Sequence, residues 1–358
     1  VSTFEHRFSD SLTLRNAFSF YRSELESLFT SPLLTFFPFN ESTGELPRTF
    51  TFSGGVPQET FDLKTNLVAE FNTGDIEHTV LAGVDLFRRN GGAFVQGDAF
   101  SPIFMNIFDP VYGTVTDQDP DGLPILFSSE DQTDSLSIYL QDQVTLLDNL
   151  KLLLGVRYDT FEQDTTNNPS LFIPTSSESS RSDDAFSPRF GVVYQPIEEV
   201  SLFTSYSRSF SPNSATTVTG DILEPEEGEQ FEIGAKAELL DGRLAASLAY
   251  FDITLQNVAT PDLDFPNFSV ATGQQRSQGI ELDLIGEVLP GWNLVANYAY
   301  IDAEITDDNS GLEGNRLFNV PKHNFNLWTT YDIQDGPLEG LGFGRYNGWI
   351  DCGVWSST

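Results

Sequence analysis

The sequence is nearly without sulfur, with one cysteine and one methionine in 358 residues. A lone Cys352 excludes an internal disulfide framework and a zinc site built on cysteines. Basic residues are scarce as well: 18 Lys and Arg stand against 53 Asp and Glu, for a formal net charge of −35. A surface that neutralises phosphates needs the opposite balance, which argues against a nucleic-acid partner. No apolar run reaches the ~20 residues of a membrane helix, and no secretory leader opens the chain. It begins "VSTFEHRF", without an initiator Met, as an internal piece of a longer precursor would. His6, His78 and His323 have no ligand-like spacing, and His78 shares a phase with Ile76, Val80 and Val84, as a packed or interfacial histidine does. No G-x-S-x-G, H-E-x-x-H or phosphate-binding glycine loop is present, so no catalytic residue is assigned and the chain reads as a non-enzyme.

What the sequence has is alternation. In "LLDNLKLLLGVRYD", Leu150, Leu152, Leu154, Val156 and Tyr158 fall on one face at period two; Lys151, Leu153, Gly155, Arg157 and Asp159 fall on the other. An apolar face backed by a mostly polar one is the pattern of a strand between two unlike environments. The pattern recurs in "FDLKTNLVAEF", "FEIGAKAEL", "GIELDLIGEV" and "WNLVANYAY", and similar stretches give about thirteen strands, many near the ~10 residues of a tilted membrane strand. Soluble sandwiches and propellers also alternate. The connections separate the two readings. Short turns ("NTGD", "LLDN", "QPIEE", "LDG", "LPG") alternate with long polar segments at residues 90–133, 160–183, 212–228, 257–276 and 304–321. In an up-and-down barrel this collects short turns at one end and long loops at the other, the asymmetry of outer-membrane barrels. The fold expected is therefore all-β, a transmembrane antiparallel up-and-down β-barrel, with Leu150, Leu152, Leu154 and Val156 toward lipid and Tyr158 at an aromatic girdle. One strand resists: the phase that puts Leu136, Ile138, Leu140 and Val144 on lipid puts Asp142 there too, which calls for a bulge or an interfacial depth.

The stretches "SLSIYLQDQVTLLDNLKLLLGVRYD", "AFSPRFGVVYQP", "LFTSYSRSFSP", "EGEQFEIGAKAEL", "SQGIELDLIGE" and "NVPKHNFNLW" resemble successive barrel strands of TonB-dependent ferric-siderophore receptors. "IEHTVLAGVDLFRRN" and "IFDPVYG" fit the same family, nearest its ferrichrome-type branch. The resemblance implies a 22-stranded barrel with a plugged lumen, a plug ahead of it, a TonB-contact segment ahead of the plug, and gated import of a ferric siderophore across the outer membrane of a Gram-negative-type bacterium. Against that pattern, residues 1–344 read as a partial barrel domain without its plug. Residues 345–358, "RYNGWIDCGVWSST", read as a divergent tail of the kind a truncation or shifted frame leaves. Two rivals share the architecture: a receptor for cobalamin or a glycan, and a passive porin-like channel.

Candidate binding residues come from the loops. In "DQDPDG", Asp117, Asp119 and Asp121 match the front half of a calcium loop, but the twelfth position is Ser128 where a bidentate Glu belongs; the competing reading is a solvated hairpin tip. The acidic runs "EPEEGE" and "TDDNSGLEG" are expected to face solvent or bridge lipopolysaccharide through divalent cations. A ferric siderophore is bulky and polar, and aromatic faces with hydrogen-bonding groups suit it. Phe36, Phe37 and Phe39, then Phe104, Phe108 and Tyr112, then Phe265, Phe268 and Arg276 are the candidates, against the alternative that such aromatics pack a loop or belong to the girdle.

Overall fold

The computed structural model describes residues 1–34, 37–113, 122–213, 215, 217–219, 222–265 and 268–350, with Ile350 described by its backbone alone. Within them the chain forms one sheet of seventeen strands. These are β1 (Ser2–Ser9), β2 (Leu12–Ser23), β3 (Glu26–Pro32), β4 (Glu45–Gly54), β5 (Gln58–Thr73), β6 (Ile76–Gly97), β7 (Ile103–Asn106), β8 (Ile125–Leu147), β9 (Leu150–Asn167), β10 (Ser177–Ile197), β11 (Val200–Ser211), β12 (Glu226–Leu239), β13 (Leu244–Pro261), β14 (Ser269–Leu289), β15 (Trp292–Asp307), β16 (His323–Asp332) and β17 (Gly342–Ile350).

Fourteen strands form an antiparallel meander, β1-β2-β5-β6-β8-β9 and then each in turn to β17. The other three build a side layer: β3 pairs with β4, which pairs with the end of β6 and with β7. The count of about thirteen read from alternation corresponds to the meander. It misses the side layer because "RTFTFSG" and "IFMN" pair with other loop segments and have no lipid-facing phase to mark them.

The turn end is tight. β5 and β6 are joined at residues 74–75, where Gly74 takes a φ of +67°, a left-handed geometry that glycine adopts without steric cost. The loop end differs from expectation. Residues 90–133 and 160–183 are strand for much of their length, since β6 runs to Gly97, β8 starts at Ile125, β9 runs to Asn167 and β10 starts at Ser177. A strand with water on both faces is polar on both, so polarity there marks solvent and not coil.

Burial is inverted relative to a soluble protein. On β8, Ile138 is 53% and Leu140 52% exposed, while Ser137, next to Ile138 on the opposite face, is 2% exposed. The buried polar set also holds Thr133, Asp159, Asn213 and Thr260. A sheet that shows leucine outward and hides serine and aspartate inward is built for an apolar solvent outside. From Leu136 to Leu146 the outward phase of β8 spans roughly 33 Å of strand, or about 25 Å along the normal at a ~40° tilt, the height of an apolar barrel band.

Asp142 lies on that outward phase without a bulge, in regular register with Val80 and Leu154. Its Oδ2 is 2.8 Å from Nδ1 of His78, whose ring stacks on Phe71 at 5.0 Å. A partner, rather than a bulge, accommodates the carboxylate.

Candidate functional site

The inward phase of β5, β6, β8 and β9 carries a connected polar network. The Tyr139 hydroxyl donates to Asn66 Oδ1 at 2.6 Å and lies 3.0 Å from Asp85 Oδ1. Arg157 donates from Nη1 to Asp85 Oδ2 at 3.1 Å, from Nε to Asp159 Oδ1 at 2.8 Å, and from Nη2 to Ser137 Oγ at 2.5 Å. Tyr139 crosses the wall directly over Gly83, where a Cβ would stand 2.3 Å from its ring. All three guanidinium nitrogens are engaged, so this part of the wall is pre-organised and saturated.

At the loop end, the side layer gathers two of the three aromatic groups. The ring of Phe108 packs on the Gly44 turn between β3 and β4, and the Ile107 amide donates to the Gly44 carbonyl at 2.8 Å. β7 pairs with β4 from Ile103 to Asn106, which presents Phe104, Phe108 and Tyr112 to solvent on the rim that also carries the half-buried Phe37 and Phe39. Phe36, Asp117, Asp119 and Asp121 lie outside the described residues. Among the described residues no group of three or more His, Cys, Asp or Glu is placed to hold a metal.

Phe265 and Phe268 sit on a different connection, that from β13 to β14. There the Phe268 amide donates to the Phe265 carbonyl at 2.8 Å and the Asp262 amide to the Phe268 carbonyl at 2.9 Å. Arg276 is apart from both groups. It lies within β14 on the outward phase of Ile280 and donates from Nε to Asp252 Oδ1 at 2.9 Å. Counting back from Ile280 by twos places it outward, so the signal was in the sequence; its polar neighbours concealed it.

Two aromatics escaped the reading. Phe100 and Phe172 meet edge to face at 6.2 Å and join the β6–β8 and β9–β10 connections. The first connection is pinned by Asp98, whose Oδ1 accepts the amides of Phe100 and Ser101, each at 2.9 Å. Thr49 Oγ1 donates to the Asp98 carbonyl at 2.6 Å. The Phe100 amide, aided by Ser101, holds the Asp98 carboxyl below the usual carboxylate range. On the β15–β16 connection, Asp308 is lowered in the same way, by the Leu312 amide first and then by Ser310.

Residues 1–356 match the family described as TonB dependent receptor-like, beta-barrel. The chain is 37% identical over 284 residues to the metal-pseudopaline receptor of Pseudomonas aeruginosa, covering 78% of this chain and 39% of that protein. It is 35% identical over 300 residues to the ferrichrome outer membrane transporter/phage receptor of Escherichia coli K12, covering 81% and 39%. The solved structure of the ferric-catecholate import receptor Fiu from E. coli K12 shares the fold at a TM-score of 0.77 and 22% identity, over 93% of this chain and 51% of that one. The chain thus spans about two fifths of the curated relatives it matches. The inverted burial of the wall and a family match running nearly end to end agree: this chain belongs to the TonB-dependent receptor β-barrel family.

Proposed function

We propose that this chain is barrel wall from an outer-membrane receptor that binds a ferric siderophore and admits it inward through a plug gated by TonB. One observation carries the reading: 35–37% identity, over about four fifths of the chain, to two receptors named for metal-pseudopaline and ferrichrome. The fold supports it physically. An outward apolar band seats the wall in lipid, and the inner face offers hydrogen-bonding groups to whatever fills the lumen. In this reading Phe104, Phe108 and Tyr112, with Phe37 and Phe39 of the β3–β4 connection, meet the ligand at the rim, and Phe265 and Phe268 meet it from a second connection. The acidic run at residues 224–229, most of it the loop-end start of β12, and the acidic loop at residues 307–313 face the lipopolysaccharide zone, where divalent cations bridge carboxylate and phosphate.

The test is iron-dependent growth of a receptor-null strain expressing the complete protein, supplied with individual ferric siderophores, with and without TonB. Rescue by a siderophore that disappears without TonB supports the reading. Rescue by cobalamin or a glycan alone, or ion conductance of the purified protein without TonB, would replace it with one of the two rival transport functions.

A further inference from the structure

We infer that the inner wall at its loop-end mouth carries a binding row for an anionic ferric chelate, built from Arg89, Thr133, Gln163 and Arg181. This deepens the receptor reading above and rests on it. The four residues are consecutive register partners across four strands: Arg89 of β6 faces Thr133 of β8, Thr133 faces Gln163 of β9, and Gln163 faces Arg181 of β10. All fall on the inward phase, shared with Tyr139, Asp159 and Arg157 lower on the same strands. Three strand spacings of ~4.8 Å put the two arginines roughly 14 Å apart, the breadth of a chelate that wraps a metal ion.

The partner count separates this row from the rest of the wall. Arg181 is 9% exposed, yet its nearest carboxylate oxygen, Asp183 Oδ2, is 3.5 Å from Nε. Its guanidinium rests on the Phe161 ring at 4.9 Å. Nε of Arg181, Nε of Arg89, Oγ1 of Thr133 and Oδ2 of Asp183 are buried without a hydrogen bond, four of the eight such side-chain atoms among the described residues. Arg89 has one long contact, Nη2 to Asp131 Oδ2 at 3.3 Å. Arg157, on the same face, has every nitrogen engaged, so the fold saturates an inward arginine where only structure is required. Arg181 is nearly buried with one long ion pair and no hydrogen bond, and Arg89 is partly exposed with a single long hydrogen bond. A buried donor left unpaired is costly, and most of the ten N–H donors of the two groups remain open to a ligand. The missing partner is therefore rich in acceptors and negatively charged. Carboxylate or catecholate oxygens fit, with Arg181 leaving the Phe161 ring for charge-assisted contacts shorter than the present one. A neutral chelate gains far less from this row.

The experiment measures binding of two iron(III) complexes to the complete protein in detergent by quenching of intrinsic fluorescence. One probe is the anionic tris-catecholate complex of enterobactin and the other the neutral trihydroxamate complex ferrichrome. The anionic complex is expected to bind more tightly. Arg181→Gln should weaken it on the order of tenfold or more while changing ferrichrome binding by less than about twofold, and Arg181→Lys should restore part of the loss. Thr133→Val, which keeps volume, is expected to weaken the anionic complex selectively but by less. Equal losses for both probes, or no loss for either, overturn the row. So does tighter binding of ferrichrome, which leaves the receptor reading standing. If the wild-type protein binds neither complex, the row falls, while the receptor reading is decided by the growth test above.

Discussion

At Gly83 a single hydrogen atom leaves room for the Tyr139 ring, which a methyl group would approach to 2.3 Å. Gly83→Ala should push Tyr139 off its contacts with Asn66 and Asp85 and destabilise the wall by about 1–3 kcal/mol, the usual cost of overpacking. In Gly83→Ala/Tyr139→Ala the two losses should fall well short of adding, because both remove one arrangement. Denaturant titration of the complete protein in detergent reads this; full additivity would mean that the ring does not depend on the glycine. The outward His78–Asp142 pair makes an asymmetric prediction. His78→Leu strands a carboxylate among Val80, Leu140 and Leu154, at a cost of about 1–3 kcal/mol. Asp142→Leu leaves only an imidazole, which can be neutral, and should be close to neutral or stabilising. The sequence placed Asp142 on the lipid phase correctly but gave no sign of its partner, 64 residues away in the chain.

Whole strands were legible where the two faces differ. Leu150 to Tyr158 alternates, with Leu153 the one apolar residue on the inner face, because one side meets lipid and the other the lumen, and the structure keeps that phase from β9 into β8 and β10. Beyond the apolar band both faces meet water, the contrast vanishes, and strand reads as loop; that is why the upper parts of β6 and β8–β10 were missed. The phase itself can be tested by adjacent substitutions. Leu140→Arg, outward, should cost about 2–4 kcal/mol, whereas Gln141→Arg, inward, should cost under about 1 kcal/mol. Similar losses at both positions, measured by refolding into vesicles, would refute the assigned faces. The side layer has its own dependence on pH. Asp98 has a depressed folded-state pKa, so its turn is stabilised at pH values above the ordinary carboxylate pKa of about 3.9 and loses that support as pH falls through the depressed value. Proteolysis at residues 98–113 should stay slow from neutral pH to about 4 and rise only below it. In Asp98→Asn the rise should vanish; its persistence would assign the acid sensitivity to another group.

At the scale of the molecule, what distinguishes this wall is its two ends. β1 pairs with β2 alone and β17 with β16 alone, and no register joins β1 to β17 among the described residues. β17 itself could not be read by likeness to family strands beyond residue 344, yet Gly342–Ile350 pairs with Asn324–Asp332 residue for residue; backbone pairing constrains side chains less than a lipid face does. An edge of unpaired N–H and C=O groups is tolerable in water only when short or charged, and in a bilayer every such group costs several kcal/mol. β1 carries Phe4 and Phe8, and β17 carries Phe343, Tyr346 and Trp349, all exposed. The 358-residue chain refolded by itself should therefore close its edges against other copies, giving concentration-dependent oligomers and no compact monomer band that shifts on heating in a detergent gel. Adding the remaining strands of the complete protein in the same chain should yield that band, since a closed ring has no edge to satisfy. A heat-shifting monomer from the 358-residue chain alone would mean that β1 and β17 find each other, and that fourteen spanning strands close a smaller barrel than the family's.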